Sequence, residues 1–401
     1  MLVVHKYGGT SVGDVERIEN VTNRVARARE SGDDIVVVVS AMSGETNKLI
    51  GYAEHFTKEP AKKEMDMLLS SGERVTAALL SIALQARGYE SIAMTGRGAG
   101  IVTDDTHTYA RIVSIDPTAM QNAIGAGKIV IVAGFQGVNK DGSITTLGRG
   151  GSDLSAVALA GALKADQCEI YSDVDGIYTT DPRIEPNAKK LDTISYDEML
   201  ELSSLGAKVL QSRSVELAKK LNVKLYAKSS FSDNQGTLIT EESENMEEVL
   251  VSGIVLDKNQ ARVSLRGVSD RPGIAAEIFT MLANENINVD MIIQNMGTDG
   301  STNLGFTVPQ SEHENAKKLM ETFGHDIEAV DFDEHVCKVS VVGVGMKSHS
   351  GVAATAFTVL ADSNINIQMI STSEIKISMI IDEKYGELAI RALHEAYELD
   401  K

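Results

Sequence analysis

Residues 279–292 (Phe-Thr-Met-Leu-Ala-Asn-Glu-Asn-Ile-Asn-Val-Asp-Met-Ile) return as residues 357–370, with nine of fourteen positions identical. A shorter match precedes it, Val263–Val268 against Val339–Val344. The offsets are 78 and 76, so the copies differ by a two-residue insertion in the strand-to-helix loop. Each copy reads strand, loop, helix, strand, then a further strand and helix, a small α+β module of roughly 65–75 residues. Two copies suit a pseudo-symmetric pair, whereas a solenoid needs three or more. The last third of the chain is therefore expected to be one module built twice.

The segment before it follows another rule. Ile35-Val36-Val37-Val38-Val39 is an unbroken β-branched run, which suits a strand covered on both faces in a parallel sheet. Further strands are expected at Leu2–His5, Ser91–Met94, Ile129–Ala133, Cys168–Tyr171 and Val223–Tyr226. Helical spacing separates them at Asp14–Glu30, with Asp14 as N-cap, and over Lys62–Arg87, Asp153–Leu163 and Gly206–Leu221. Such alternation predicts a layered α/β sandwich. The acidic stretch 241–249 marks the boundary, giving expected domains 1–240, 250–335 and 336–401.

The 38 basic and 57 acidic residues leave a net charge of −19, which argues against nucleic acid or an anionic membrane as partner. No uninterrupted apolar run approaches the ~20 residues that span a bilayer. The start Met1–Lys6 lacks the marks of a signal peptide. Cys168 and Cys337 are far apart and in no ligand spacing, so free thiols in a reducing cytoplasm are expected.

Four strings carry chemistry. Lys6-Tyr7-Gly8-Gly9 ends the first strand, where two glycines beside a lysine are either a tight connection or an anion cradle. Leu147-Gly148-Arg149-Gly150-Gly151-Ser152-Asp153 stands before an apolar helix that Ser152 or Asp153 can cap. Its three glycines and the Arg149 fork suit a carboxylate or phosphate. Ser172–Arg183 follows a strand at the carboxyl edge of the sheet, where open α/β sheets bind ligands, and its acids miss calcium-loop spacing. Ser71-Gly72-Glu73 interrupts a helical stretch with a glycine that disfavours helix by about 1 kcal/mol, offering Glu73 to an ammonium group or to solvent. His5 and His107 have no partner at metal spacing, and no metal site is expected.

In this order, and together with Val38–Met42, Gly134–Gly137, Gly206–Leu210 and the tandem repeat, these strings resemble the aspartokinases. These are members of the amino acid kinase family that carry C-terminal ACT modules. The chain departs from the family pattern at Gln211-Ser212, usually His-Pro, and at Leu154-Ser155, commonly Thr-Thr. The resemblance implies a three-layer αβα sandwich followed by two ferredoxin-like α+β ACT modules. It implies transfer of the ATP γ-phosphoryl group to the side-chain carboxylate of L-aspartate, with Mg²⁺ carried mainly on the nucleotide phosphates. The catalytic set would be Lys6, Asp153 and Lys208. Gly8, Gly9, Ser40, Ser172, Asp173, Tyr178 and Arg183 would join the two lysines at ATP. Thr46, Glu73, Arg149, Gly150, Gly151 and Ser152 would hold aspartate. Lysine or threonine would bind as effector at Asp270, Gly273, Ile274, Ala275, Asn288, Val289, Asp290 and Gln294, or at Asn366, Ile367 and Ser373. ACT modules imply at least a homodimer, and the whole reading implies a cytoplasmic enzyme. The alternatives are a silent amino-acid-sensing subunit or another amino acid kinase.

Overall fold

The computed structural model describes residues 1–205, 209–241, 251–296, 301–323, 326–344 and 351–401. Lys208 and most of the acidic stretch 241–249 lie outside the described residues. The described chain forms two compact units, one of residues 1–177, 190–203 and 209–241, the other of 178–189, 204–205 and the described residues from 251 on.

The first unit carries strands β1 (Leu2–Tyr7), β2 (Asp34–Val39), β3 (Ser91–Met94), β4 (Ile101–Thr103), β5 (Ile112–Ile115) and β6 (Ile129–Ala133). After them come β7 (Gln136–Val138), β8 (Ile144–Thr146), β9 (Gln167–Ser172), β10 (Thr193–Ser195), β11 (Leu225–Ser229) and β12 (Thr237–Thr240). Its helices are α1 (Val15–Glu30), α2 (Glu45–Phe56), α3 (Lys62–Leu69), α4 (Ser71–Ala86), α5 (Thr118–Gly125), α6 (Gly151–Leu163), α7 (Tyr196–Leu205) and α8 (Ser212–Leu221). An eight-stranded sheet runs β10-β12-β11-β9-β1-β2-β6-β3, parallel except for the β11–β12 pair. Helices α1 and α4 cover one face, burying Ile18, Val21, Leu80 and Leu84 against Val37 and Ile131. Helix α6 packs on the other face against β1, β2 and β9, with α8 beside it. This is the expected αβα sandwich. Because both faces are covered, β2 is buried from Ile35 to Val39, as its unbroken apolar run requires.

Three local expectations need correction. Lys62–Arg87 is helical in two segments rather than one, α3 and α4, which meet at Ser70 with its backbone still in the right-handed helical region. Of Gly206–Leu221, residues 206–208 lie outside the described residues and the described helix runs from Ser212, while the preceding helix α7 shows no marked periodicity in the sequence. The N-cap of α6 is Gly150 at φ +70°, so Ser152 and Asp153 sit inside the first turn rather than capping it. Asp14 does cap α1, accepting from the Arg17 N–H at 2.8 Å. A small second sheet, β5-β4-β7-β8, was not foreseen, its strands being only three or four residues long. Within residues 62–86 one eighteen-residue stretch is long and apolar enough to cross a membrane, by length and composition. That stretch is half buried in this unit, and residues 62–86 carry the buried carboxyls of Asp66 and Glu73.

The second unit holds β13 (Gly253–Ser269), β14 (Ile292–Met296), β15 (Ser301–Val308), β16 (Ala329–Val342), β17 (Met369–Thr372) and β18 (Lys376–Asp382). Its helices are α9 (Ile274–Asn284), α10 (His313–Glu321), α11 (Gly351–Asp362) and α12 (Gly386–Ala396). The strands form one antiparallel six-stranded sheet, β14-β15-β13-β16-β18-β17. The repeat is visible as two cores, one under α9 and α10 around Ile278, Leu282 and Phe306, the other under α11 and α12 around Ala356, Leu360 and Ile390. Long strands cross between the copies: Gly253–Asp257 pair with Lys338–Val342, while Arg262–Arg266 pair with Ala329–Asp333. Segment 178–189 packs here too, where Thr179 accepts the Ile254 N–H at 2.7 Å and Ile184 joins the second core.

Candidate active site

The site grows from the carboxyl ends of β1 and β2 and from the start of α6. The β pleat points Lys6 to the α6 face, and its ammonium meets the Asp153 carboxylate at 2.5 Å. Both are about nine-tenths buried. On the opposite face His5 contacts Glu169 at 3.2 Å, and Lys228 reaches the same carboxylate. Burial pushes the Glu169 carboxyl up, but its hydrogen bonds and charge contacts with His5 and Lys228 win and hold it below the usual range. This network locks β1, β9 and β11 side by side.

Gly8 follows directly, and its N–H is donated to the Tyr171 carbonyl at 3.0 Å. The Gly8 amide thus extends the pairing of β1 with β9. Ser40, one residue past β2, hydrogen-bonds Ser152 at 2.7 Å, joining the end of the sheet to the first turn of α6.

Glu73 lies in the first turn of α4 and is 4 % exposed. Its Oε1 accepts the Ala41 N–H at 3.1 Å, whereas Oε2 is buried without a partner. Burial pushes its pKa up to about 7, against the opposing pull of its own and Ala41's backbone N–H groups. The residue before it has to be glycine, because a Cβ on Gly72 would lie 2.7 Å from that of Ala41.

A single cavity of about 530 Å³ gathers these parts. Gly9, Ser40, Thr46 and Glu73 line it, together with Arg149, Gly150, Gly151 and Ser152. The left-handed Gly150 leaves the positive end of α6 open to that space, with Arg149 in the loop that leads into it. The cavity therefore offers a buried carboxyl for an ammonium group and a cationic corner for an anion. The sequence reading missed Thr108, Phe135 and Thr146 in its wall. Thr108 and Phe135 are non-glycine residues at φ +68° and +69°, a conformation with no signature in sequence. Gln211, a departure from the family pattern, donates its side-chain amide to the Arg149 carbonyl and so holds the loop entering α6.

Ser172 ends β9 and Asp173 follows it, both in the first unit. Tyr178 and Arg183 belong to the second unit, where Arg183 is exposed and paired with Asp181 at 2.6 Å. Among the described residues no three His, Cys, Asp or Glu side chains cluster to hold a metal ion.

The model of the amino acid kinase family matches residues 1–228, and that of an ACT domain matches 263–322 and 339–397. The chain belongs to the amino acid kinase family and, within it, to the aspartokinases. An aspartokinase of Helicobacter pylori strain J99 is 58 % identical over the full length of both chains. A crystal structure of Escherichia coli aspartokinase III in complex with aspartate and ADP (R-state) superposes with a TM-score of 0.81 at 26 % identity, covering 99 % of each chain. The same enzyme in complex with lysine and aspartate (T-state) gives a TM-score of 0.79 at 26 % identity, over 98 % of this chain and 99 % of that one.

In this amino acid kinase the proposed effector residues all fall in the second unit. Asp270 and Gly273–Ala275 stand at the β13-to-α9 turn, and Asn288–Asp290 precede β14. Strand pairing puts these groups at opposite ends of the sheet: Ser269 faces Ser301, whereas the Asp290 N–H bonds Thr307. Gln294 lies midway along β14, opposite Leu304. Asp290 is also held by the buried Lys338 ammonium. In the second copy, Asn366 and Ile367 precede β17 and Ser373 follows it.

Proposed function

We propose that this chain transfers the γ-phosphoryl group of ATP to the side-chain carboxylate of L-aspartate, giving 4-phospho-L-aspartate. The observation that carries this reading is the cavity itself. Its unpaired, buried Glu73 oxygen suits an α-ammonium, and Arg149 at the head of α6 suits a carboxylate. An aspartate carboxylate of pKa ≈ 3.9 is already an anion at pH 7 and needs no general base. Catalysis then reduces to aligning two anions and neutralising developing charge.

Lys6 supplies that charge, oriented by Asp153, with Lys208 as its expected partner. Gly8, Gly9, Ser40, Ser172 and Asp173 border the nucleotide. Mg²⁺ arrives on the phosphates, where it needs few protein ligands and shields charge. The domains run 1–240, 250–335 and 336–401. Lysine or threonine acts as feedback effector on the ACT pair. Because Asp270 and Asn288–Asp290 are separated along one module, a site using both draws on a second module, from the tandem copy or from another chain; at least a homodimer is proposed. The enzyme works in the cytoplasm.

Hydroxylamine trapping of the acyl phosphate tests the reading. The purified chain with ATP and Mg²⁺ should form aspartyl hydroxamate, with at least a tenfold preference over glutamate from one extra methylene. Equal or greater yield from glutamate would reject it.

A further inference from the structure

Asp66 is a fully buried carboxylate in α3 with four polar contacts, and the reaction assigns it no role. Its Oδ1 accepts the Thr108 N–H at 3.0 Å and the Thr146 hydroxyl at 2.6 Å. Its Oδ2 meets His107 Nδ1 at 2.6 Å and the same Thr108 N–H at 3.2 Å. Such saturation fixes the groups around the carboxylate as firmly as it is fixed by them.

Those groups are the wall of the cavity. Thr108 and Thr146 both line it, as Glu73 does, and Thr108 holds the left-handed backbone that a non-glycine residue adopts only when its surroundings impose it. The next residues tie the same wall to the cationic corner. The Ala110 N–H donates to the Thr146 carbonyl at 2.8 Å. Arg213 then bridges the Leu147 and Ala110 carbonyls at 2.7 and 3.1 Å, two residues short of Arg149. A buried aspartate serving only to cap a loop would explain one of these bonds. It would not explain why all its donors come from residues 107, 108 and 146.

We infer that Asp66, with His107 against it, is a positioning residue for the acceptor substrate: it sets the distance between the Thr108–Thr146 wall and Arg149. The inference rests on the reading of this cavity as the aspartate site. Asp66 touches neither substrate, so its removal loosens the acceptor pocket and leaves the nucleotide side, built on β1 and β9, in place.

The test compares Asp66→Ala and Asp66→Asn in the full chain by initial rates with each substrate varied, alongside thermal melts and calorimetric titration of aspartate. Asp66→Ala should raise KM for aspartate at least about tenfold, with KM for ATP within about twofold, since small misplacements at a reacting centre carry large kinetic penalties. Asp66→Asn keeps an oxygen for Thr108 and Thr146, and should recover most of the loss, to about threefold. If Asp66→Ala does not fold, the same split in Asp66→Asn carries the test. Equal rises for both substrates, or unchanged KM values with activity lost only in step with the folded fraction, would overturn the inference. Wild-type enzyme inactive on aspartate would instead overturn the functional reading beneath it.

Discussion

Burial that holds the Glu73 carboxyl near pH 7 has opposite consequences for the free and the loaded enzyme. A folded-state pKa raised from 4.5 to about 7 means that the neutral form favours folding below pH 4.5, and that this contribution is lost as pH rises through 7. Glu73→Gln cannot titrate, so its melting temperature should match wild type at pH 5 and exceed it at pH 8. Aspartate's ammonium reverses the preference by favouring the carboxylate. Wild-type aspartate affinity should therefore increase about tenfold from pH 6 to pH 8, with proton release, while the Gln variant binds weakly at both. Calorimetry in two buffers reads both effects, and a flat wild-type profile would remove Glu73 from the ammonium site. For Lys6→Ala, kcat should fall at least about 100-fold. The change also strands the buried Asp153, which by itself destabilises the protein. Adding Asp153→Asn should restore the melting temperature without restoring turnover. Recovered turnover would make the pair structural.

At the scale of elements, the first turn of α4 places Glu73 in the cavity, and Gly72 permits the close approach to Ala41. Gly72→Ala should lower stability by about 1–3 kcal/mol, measured as the denaturant midpoint, and weaken aspartate through the displaced Glu73. An unchanged midpoint would show that the Ala41 segment yields. Elements with a marked pattern were legible in the sequence. The run Ile35–Val39 announced a covered parallel strand, and the glycines before Leu154 announced an open helix start. Helix α2 escaped because it buries only Leu49, leaving no apolar stripe to read. The junction at Ser70 escaped because Ser70 keeps helical dihedrals and the periodicity on either side of it reads as continuous. Thr108 and Thr146 escaped for another reason: an isolated threonine in a short strand or loop acquires meaning only from Asp66, some forty and eighty residues away.

For the whole molecule, the duplication dictates a pseudo-symmetric regulatory unit, yet the copies are not separable beads. Strands β13 and β16 each serve both modules, so Gly253–Asp257 complete the sheet of the second copy before the first begins. Feedback through such a unit requires that the effector favour a less active state, and linkage then makes aspartate and effector oppose each other reciprocally. One measurement joins the catalytic and regulatory halves of this account: the rate of acyl-phosphate formation by the full chain with ATP, Mg²⁺ and aspartate, while lysine and threonine are titrated singly and together at low and saturating aspartate. The account predicts turnover that depends on aspartate, falls with at least one end product, and recovers when aspartate is raised. Absence of product from aspartate, or turnover indifferent to every end product, would contradict it.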